Sequence, residues 1–335
     1  MDLSEGFLAT PPNFAPLALK ELSGLGIAEA SPTAGGITFR ASKETVYRVN
    51  LNSRVGTRVL LRVARFPARS FKELEKNLKA LPWRELVDFR AGAAFSVSCS
   101  KTKLCRAGKI EEITRLAAGR HEEGDGATLF LRIAGDEATL SRDTSGELLH
   151  RRGYRTLTVA APIRENLAAG LLLFAGYDGS EPLLDPCCGS GTFAVEGALI
   201  ALKRAPGLFR SFALETLPDF DGELWEKERQ RAMSLERKSP QAPIFASDID
   251  PEAVGLAVSS ARGAKVADFV AVAACDMDEL EPPTPTGLLV ANPPYGIRLG
   301  KSGEVYGKLL KILREPFGGW RSGIIAPRGK AGAFR

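Results

Sequence analysis

Residues 183–197 read LLDPCCGSGTFAVEG, an apolar run that closes on Asp185 and continues into a glycine-rich turn. The run predicts a buried strand, and residues 192–202 after the turn predict a helix. The pattern continues along the chain, with strands predicted at 244–248, 269–276, 287–295 and 323–326 and helices at 163–174 and 251–262. Strands that alternate with helices predict a parallel, doubly wound α/β sheet of the Rossmann-like type.

Chemically distinctive residues follow the predicted strands, where a doubly wound sheet binds its ligands. They are Asp185, Gly189, Ser190, Gly191, Asp248, Asp276 and Asn292. Glycines let a ligand approach the backbone, and a helix N-terminus offers free N–H groups to a carboxylate. The turn matches neither GxGxxG nor the phosphate loop GxxxxGK[ST], which disfavours dinucleotides and nucleoside triphosphates. A turn without a ligand, and Asp248 or Asp276 as a helix cap or solvated acid, remain alternatives.

The segment ANPPYGIRLG, residues 291–300, is the hardest to explain by structure alone. Two consecutive prolines at the end of a buried strand remove two N–H donors and fix two φ angles. A simple chain reversal does not need that arrangement. The segment therefore predicts a binding or catalytic function.

These motifs resemble a known family. In chain order, DPCCGSGTF, ASDIDPEAV, ACDMDEL and NPPYGIRLG are similar to the successive motifs of class I S-adenosylmethionine-dependent methyltransferases. More narrowly, the chain resembles the THUMP-domain guanine-N2 methyltransferases of RNA, which comprise the RlmL-type 23S rRNA enzymes and their tRNA-modifying relatives. The narrower resemblance rests on DTSGELLHRRGYR at 143–155, on residues 161–172 and 196–208, and on the N-terminal FLATPPNFAPLALKELSGLGI.

The resemblance implies a role for each residue of the site. The glycine turn, with Asp185, Gly189, Ser190 and Gly191, would hold the methionine end of S-adenosylmethionine. Asp248, with Asp250 nearby, would bind the ribose, and Asp276 would lie on the adenine side. Catalysis would fall to Asn292, Pro293, Pro294 and Tyr295. The Asn292 side chain and the Pro293 carbonyl would accept the hydrogens of the guanine amine, the prolines would fix the backbone, and Tyr295 would stack on the extruded base.

The N-terminal half carries the positive charge of the chain. Residues 1–155 hold 25 Lys and Arg against 18 Asp and Glu, a net charge of +7, whereas the remainder carries −2. We predict a ferredoxin-like module at 1–66, a THUMP-like RNA-binding domain and linker at 67–155, and the methyltransferase domain at 156–335. The predicted RNA-binding residues are Arg58, Arg62, Arg65, Lys101, Lys103 and Arg106. A basic surface of this kind attracts phosphate backbones, although a solvated arginine face is the alternative.

Composition excludes several classes of protein. The 335 residues have ordinary globular proportions, lack an apolar run long enough for a bilayer span, and begin without a signal sequence, so we expect a cytoplasmic protein. Five cysteines, an odd number without a CxxC pair, exclude a disulfide scaffold, and the presence of only two histidines disfavours a zinc site. His150 is interpreted as a structural or RNA-contacting residue, and Cys187 and Cys188 as small buried side chains.

The predicted function is methyl transfer from S-adenosylmethionine to guanine N2 of a structured RNA, with 23S rRNA favoured over tRNA. Two alternatives remain, an adenine-N6 DNA methyltransferase and an RNA-binding assembly factor without catalysis. The sequence identifies no protein partner, metal or membrane.

Overall fold

The computed structural model describes residues 5–119, 127–155, 162–293 and 299–326. They form two compact units, each with its own sheet. The first unit contains residues 1–149 together with Ser211–Gln230, and the second contains residues 150–210 and 231–335. The second unit therefore surrounds, in sequence, a short segment that belongs to the first.

The strands and helices of both units are numbered here in chain order. The strands are β1 (Glu5–Ala9), β2 (Ala30–Thr33), β3 (Gly36–Arg40), β4 (Arg58–Pro67), β5 (Ala93–Ser100), β6 (Ala127–Ala134), β7 (Glu137–Asp143), β8 (Leu183–Asp185), β9 (Ile244–Asp248), β10 (Val270–Ala274), β11 (Leu288–Ala291) and β12 (Arg321–Ile324). The α-helices are α1 (Ala15–Gly24), α2 (Lys43–Asn52), α3 (Phe71–Lys79), α4 (Trp83–Leu86), α5 (Ala107–Ala118), α6 (Glu165–Phe174), α7 (Thr192–Ala201), α8 (Gly222–Ser234), α9 (Pro251–Gly263) and α10 (Leu299–Arg314).

The first unit is built on a seven-stranded sheet with the order β2-β3-β1-β4-β7-β6-β5. Its pairs are antiparallel except for β5 and β6, which run parallel. The strand β4 alternates as predicted, with Val59, Leu61 and Val63 buried and arginines on the other face. A bulge between Arg62 and Ala64 shifts the register, so Arg65 lies on the same face as Arg62.

The segment Ser211–Gln230 packs within the first unit through a buried ion pair and aromatic contacts. Arg48 of α2 donates to both carboxylate oxygens of Glu228 at 2.8 and 3.0 Å. Tyr47, also on α2, meets Trp225 edge to face with ring centroids 5.5 Å apart. The sequence prediction treated 205–243 as an irregular insertion. The structure instead places α8 there, and gives part of the insertion a packing role in the first unit.

The second unit contains a five-stranded sheet with the order β10-β9-β8-β11-β12, and every pair is parallel. This is the predicted doubly wound α/β arrangement. The strand order reverses between β8 and β11, because β9 and β10 continue to one side of β8 whereas β11 and β12 lie on the other. A crevice opens at such a switch point, beyond the carboxyl ends of the strands. The chain segments that follow β8 and β11 meet there.

The structure corrects the expectation about disulfides. Cys99 at the end of β5 and Cys105 just before α5 form one, with their Cα atoms 5.6 Å apart. The sequence did not predict it because a spacing of six residues is not a recognised pairing pattern. The chain turns back at Lys101, whose φ is 52°, and this brings the two cysteines together.

No helix within the described residues is both long and apolar enough to cross a bilayer.

Candidate active site

The glycine turn between β8 and α7 is fixed by contacts with the last residues of β9 and with α9. The Gly189 N–H donates to Asp248 Oδ2 at 2.8 Å, and the Cys188 N–H donates to the Ser247 carbonyl at 2.9 Å. Gly191 has a φ of 76°, and a Cβ added to it would lie 2.9 Å from Cβ of Ala257 on α9. Glycine is therefore required at this position both by backbone conformation and by space.

Asp248 links the glycine turn to the next loop. Its Oδ1 accepts the Asp250 N–H at 3.1 Å, while its Oδ2 accepts the Gly189 N–H. Each carboxylate oxygen retains a further lone pair, so Asp248 can still accept ribose hydroxyls. Asp250 has a different position: its side chain caps α9 by accepting the Glu252 N–H at 2.9 Å. The capping role considered for Asp248 therefore belongs to its neighbour.

Asp185 is the most strongly perturbed carboxyl group of the site. The residue is 2% exposed, and its side chain accepts the Cys187 N–H at 3.3 Å. Burial, reinforced by the nearby Asp248 charge, raises the pKa of Asp185 to about 8, although the Cys187 N–H opposes the shift. Asp185 is therefore mostly protonated at neutral pH. Burial also raises the pKa of the Cys187 and Cys188 thiols, which fits small packing residues and not nucleophiles.

Asn292 follows β11, the strand next to β8. Its Oδ1 is buried and has no hydrogen-bond partner among the described residues. The hydroxyls of Ser190 in the glycine turn and Ser247 at the end of β9 are likewise buried and without a hydrogen-bond partner among the described residues. Buried polar atoms without partners are uncommon in folded proteins, and they point to a ligand that supplies the missing groups. Pro293 is buried, whereas Pro294 and Tyr295 lie outside the described residues.

Asp276 lies two residues beyond β10, where Ala274 is in register with Asp248. It caps the 3₁₀ helix Met277–Glu279, with its Oδ1 accepting the Asp278 N–H at 3.1 Å. Lys308 of α10 donates to both carboxylate oxygens of Asp276, at 2.7 and 2.9 Å. The sequence did not predict the Lys308 contact, because α10 carries no motif and lies about thirty residues further along the chain.

A second group missed by the sequence prediction lies at the start of α7. Arg155 donates to the Thr192 hydroxyl at 2.6 Å and lies 3.6 Å from a carboxylate oxygen of Glu165. Within the described part of the chain, no side chain caps α7, whose N-cap residue is Gly191. This helix end therefore combines free N–H groups with a buried guanidinium and a carboxylate, a combination suited to an amino-acid ligand. Residues 153–155 and 164–166, which contain Arg155 and Glu165, contribute to the family resemblance, but their sequence did not predict this pairing.

The predicted RNA-binding arginines of β4 are already paired. Arg58 contacts the buried Asp143, and Arg62 contacts Glu5. Arg65 lies 3.4 Å from Glu5 and also 3.4 Å from Glu137. Two of these guanidinium groups also lie over aromatic rings, Arg58 over Phe130 and Arg62 over Phe7. The charge of this strand is thus largely compensated within its own sheet.

The basic loop between β5 and α5 differs from that strand. Lys101, Lys103 and Arg106 are all exposed, and among the described residues no carboxylate pairs with them. The disulfide between Cys99 and Cys105 closes most of this loop. The three charges are therefore available to an external anion.

His150 has a lowered basicity. Partial burial, followed by the charges of Arg164, Arg152, Arg151 and Arg155, lowers the pKa of His150 to about 4. It is therefore neutral at physiological pH and adds no charge to the surrounding arginines. Among the described residues, no three or more His, Cys, Asp or Glu side chains lie together in a way that could hold a metal ion.

The donors and acceptors of this crevice fit S-adenosylmethionine. A glycine turn without a lysine, a carboxylate after the second strand and unsatisfied buried oxygens suit a nucleoside joined to an amino acid, and do not suit a polyphosphate. Parallel sheet, strand order and site together define a class I methyltransferase.

Comparison with known proteins identifies the family. Residues 152–327 match the family model described as "RMKL-like, methyltransferase domain", and residues 5–60 match the model of the RlmL ferredoxin-like domain. The chain belongs to the RMKL-like methyltransferase family. A crystal structure described as SMU.472, a putative methyltransferase complexed with S-adenosylhomocysteine, has a TM-score of 0.86 and 29% identity, and covers 99% of this chain and 92% of its own.

Individual relatives agree with this assignment. A putative RNA methyltransferase of Synechocystis is 33% identical over 92% of this chain and 85% of its own length. The ribosomal RNA large subunit methyltransferase K/L of Syntrophotalea carbinolica is 35% identical over 97% of this chain, which spans only 49% of that relative. A crystal structure described as a predicted N6-adenine-specific DNA methylase from Listeria monocytogenes has a TM-score of 0.90 and 29% identity, and covers 99% of this chain and 91% of its own.

Proposed function

We propose that this protein transfers a methyl group from S-adenosylmethionine to the exocyclic N2 of a guanine in large-subunit ribosomal RNA. The observation that carries the proposal is the buried Oδ1 of Asn292, which has no hydrogen-bond partner in the described part of the chain and follows the strand next to the glycine turn. An amide oxygen in this condition requires a hydrogen-bond donor. The amine of a nucleobase is such a donor.

In this proposal Asn292 directs the amine and does not deprotonate it. The N2 lone pair of guanine is delocalised into the ring and is a poor nucleophile. When Asn292 Oδ1 and the Pro293 carbonyl accept its two hydrogens, the lone pair is held in the direction of attack. When bound, S-adenosylmethionine would supply a methyl group already activated on a sulfonium, and the break of the sulfur–methyl bond would release S-adenosylhomocysteine. The amine can therefore lose its proton after transfer, and a strong base is not required.

The remaining site residues would hold the two substrates. Asp248 would accept the ribose hydroxyls and Asp276 the adenine amine, while Asp185, Gly189, Ser190 and Gly191 would surround the methionine end. Asp250 would support this arrangement by capping α9. Pro294 would keep the backbone rigid, and Tyr295 would stack on the extruded guanine.

We assign the RNA contacts of the first unit mainly to the basic loop of Lys101, Lys103 and Arg106. Its charges are exposed and available, whereas Arg58, Arg62 and Arg65 are compensated by acids. The three β4 arginines can still offer flat guanidinium surfaces to unpaired bases. Residues 67–155 would then act as the THUMP-like RNA-binding domain. Because ribosomal RNA is the proposed substrate, we place the protein in the cytoplasm.

Ribosomal RNA is favoured by the names of the K/L relatives, such as the ribosomal RNA large subunit methyltransferase K/L of Syntrophotalea carbinolica. The name of the Listeria structure favours a second candidate, methylation of adenine N6 in DNA. An asparagine followed by prolines serves either exocyclic amine, so Asn292 does not distinguish them. A tRNA substrate and a binding protein without catalysis remain less favoured, the latter because the residues for cofactor and amine are intact.

The test uses purified full-length protein, labelled methyl donor, and ribosomal RNA, tRNA or DNA from cells that lack the gene. We expect label in ribosomal RNA as N2-methylguanosine. The Asn292→Ala variant should lower the single-turnover rate by about 10²-fold or more and leave cofactor affinity nearly unchanged, because Asn292 acts only on the amine. Label in DNA would support the second candidate. Equal losses of rate and cofactor affinity in Asn292→Ala would contradict the role given to this residue.

A further inference from the structure

Lys308 joins two acidic side chains at the end of β10. Its Nζ lies 2.7 and 2.9 Å from the two oxygens of Asp276 and 2.9 Å from Asp278 Oδ2. The next lysine on this face of α10, Lys311, lies 3.2 Å from Asp278 Oδ1 and its side chain is 72% exposed. The side chain of Lys308 is 34% exposed. Lys308 is thus the lysine that contacts both acids.

The location of Asp276 gives this contact a functional meaning. The Cys275 N–H donates to the Asp248 carbonyl at 3.0 Å, so Asp276 follows directly a residue bound to the proposed ribose acid. On the same edge of the sheet, the glycine turn lies on the far side of Asp248, after β8. A nucleoside joined to an amino acid that places its ribose at Asp248 and its amino-acid part at the glycine turn therefore extends its base toward Asp276.

Without a cation, Asp276 and Asp278 would be neighbouring like charges on an exposed loop. The ammonium of Lys308 offsets their repulsion and restricts the rotation of the Asp276 carboxylate. The pKa of each acid lies below its ordinary value, chiefly because of the hydrogen bond from Lys308. The same contacts raise the pKa of Lys308, so all three groups stay charged at neutral pH.

We infer that Lys308 is a positioning residue that fixes Asp276 in the orientation that accepts the 6-amino group of the cofactor's adenine. The inference rests on the proposed cofactor site. Asp276 Oδ1 accepts both Lys308 and the Asp278 N–H, whereas Oδ2 keeps a lone pair beyond the one used by Lys308, and the orientation of the carboxylate decides where that lone pair points. Loss of Lys308 should therefore weaken binding of a ligand with the 6-amino group and spare a ligand without it.

The experiment measures binding by calorimetry, without turnover. Two ligands are compared: S-adenosylhomocysteine and its analogue in which hydrogen replaces the adenine 6-amino group. The protein variants are Lys308→Met, Lys308→Gln, Lys308→Arg and Asp276→Ala, with Lys311→Met as the matched control on the same helix. Thermal melts establish that each variant is folded, and either Lys308→Met or Lys308→Gln suffices for the test.

We expect the unchanged protein to prefer the amino ligand, and Lys308→Met to reduce this preference roughly five-fold or more, a size typical of one hydrogen bond. Lys308→Arg should restore most of the preference, and Lys311→Met should leave it unchanged. If Lys308 only stabilised the fold, its loss would weaken the binding of both ligands equally, and the ratio of the two affinities would not change.

The outcomes separate the two proposals. If Asp276→Ala reduces the preference while Lys308→Met and Lys308→Gln retain or increase it, the inference about Lys308 is wrong and the cofactor site stands. If Asp276→Ala leaves the preference unchanged, Asp276 does not face the adenine and the proposed cofactor site is wrong at this end.

Discussion

At the scale of single residues, the site combines groups whose state depends on burial more than on residue type. Asp185 has the sequence position of a ligand-binding acid, yet its pKa of about 8 means that its carboxyl group is neutral in most protein molecules at pH 7. It can donate a hydrogen bond as well as accept one in that form. Sequence alone gives the position of Asp185 but not its protonation state, because that state depends on what packs around it.

The raised pKa of Asp185 predicts how stability varies with pH. The unfolded carboxyl ionises near pH 3.8, whereas the folded one stays protonated to about pH 8. Between these values the unfolded chain binds fewer protons than the folded chain, so the free energy of unfolding falls as pH rises. Relative to that of Asp185→Asn, the free energy of unfolding of the unchanged protein should fall by at most about 1.4 kcal/mol for each rise of one pH unit across that window.

Urea unfolding of both proteins without cofactor, at pH 5, 6, 7 and 8, measures this difference. The Asn side chain keeps the size of the group and can still accept the Cys187 N–H. Two stability curves that run parallel from pH 5 to 8 would show that Asp185 ionises normally in the folded protein.

At the scale of elements, the parallel sheet was predictable because four of its five strands end at, or within two residues of, a chemically distinctive residue. The strands β8, β9, β10 and β11 were expected from apolar runs that close on Asp185, Asp248, Asp276 and Asn292. The helix α10 and its Lys308 were not expected. The role of a charged side chain on a helix without a sequence motif can be recognised only from the loop that packs beside the helix.

The strand β4 shows the opposite case, in which a strong pattern was open to misinterpretation. Its arginines face one side of the sheet as predicted, but Glu5, Glu137 and Asp143 compensate them. The separation in sequence between Arg58 and Asp143 is 85 residues. Only the strand order brings these residues together, so a local count of charges overestimated the free positive charge.

The basic loop before α5 supplies the prediction at this scale. Replacement of Lys101, Lys103 and Arg106 by Ala should weaken RNA binding and lower the slope of log K against log salt concentration by about 2 to 3, because each phosphate contact releases roughly one counterion. Binding of the full-length protein to ribosomal RNA, measured at several salt concentrations, gives the slope.

A triple variant with the same change in net charge is the control. Arg40, Lys79 and Arg90 are exposed, and each is paired with an acid, Glu29, Glu75 and Asp88 in turn. Their replacement by Ala should change the slope much less. If both triple variants reduce the slope equally, RNA binding reflects overall charge and the loop has no special role.

At the scale of the whole molecule, the positive charge and the cofactor motifs belong to different parts of the sequence. Residues 1–155 carry +7 and the remainder −2. The first unit nevertheless includes Ser211–Gln230, held by the ion pair of Arg48 with Glu228. Cutting the chain at residue 155 would break that contact, so the division of labour between the units is best tested with variants of the full-length protein.

The central claim, guanine-N2 methylation of large-subunit ribosomal RNA, is tested most directly by mass mapping of modified nucleosides in a strain that lacks the gene. We predict that one N2-methylguanosine disappears from the large-subunit RNA, returns with the unchanged gene, and does not return with Asn292→Ala. Large-subunit RNA with its full set of N2-methylguanosines, or a lost methyl group that maps to tRNA or to adenine N6 in DNA, would contradict the claim.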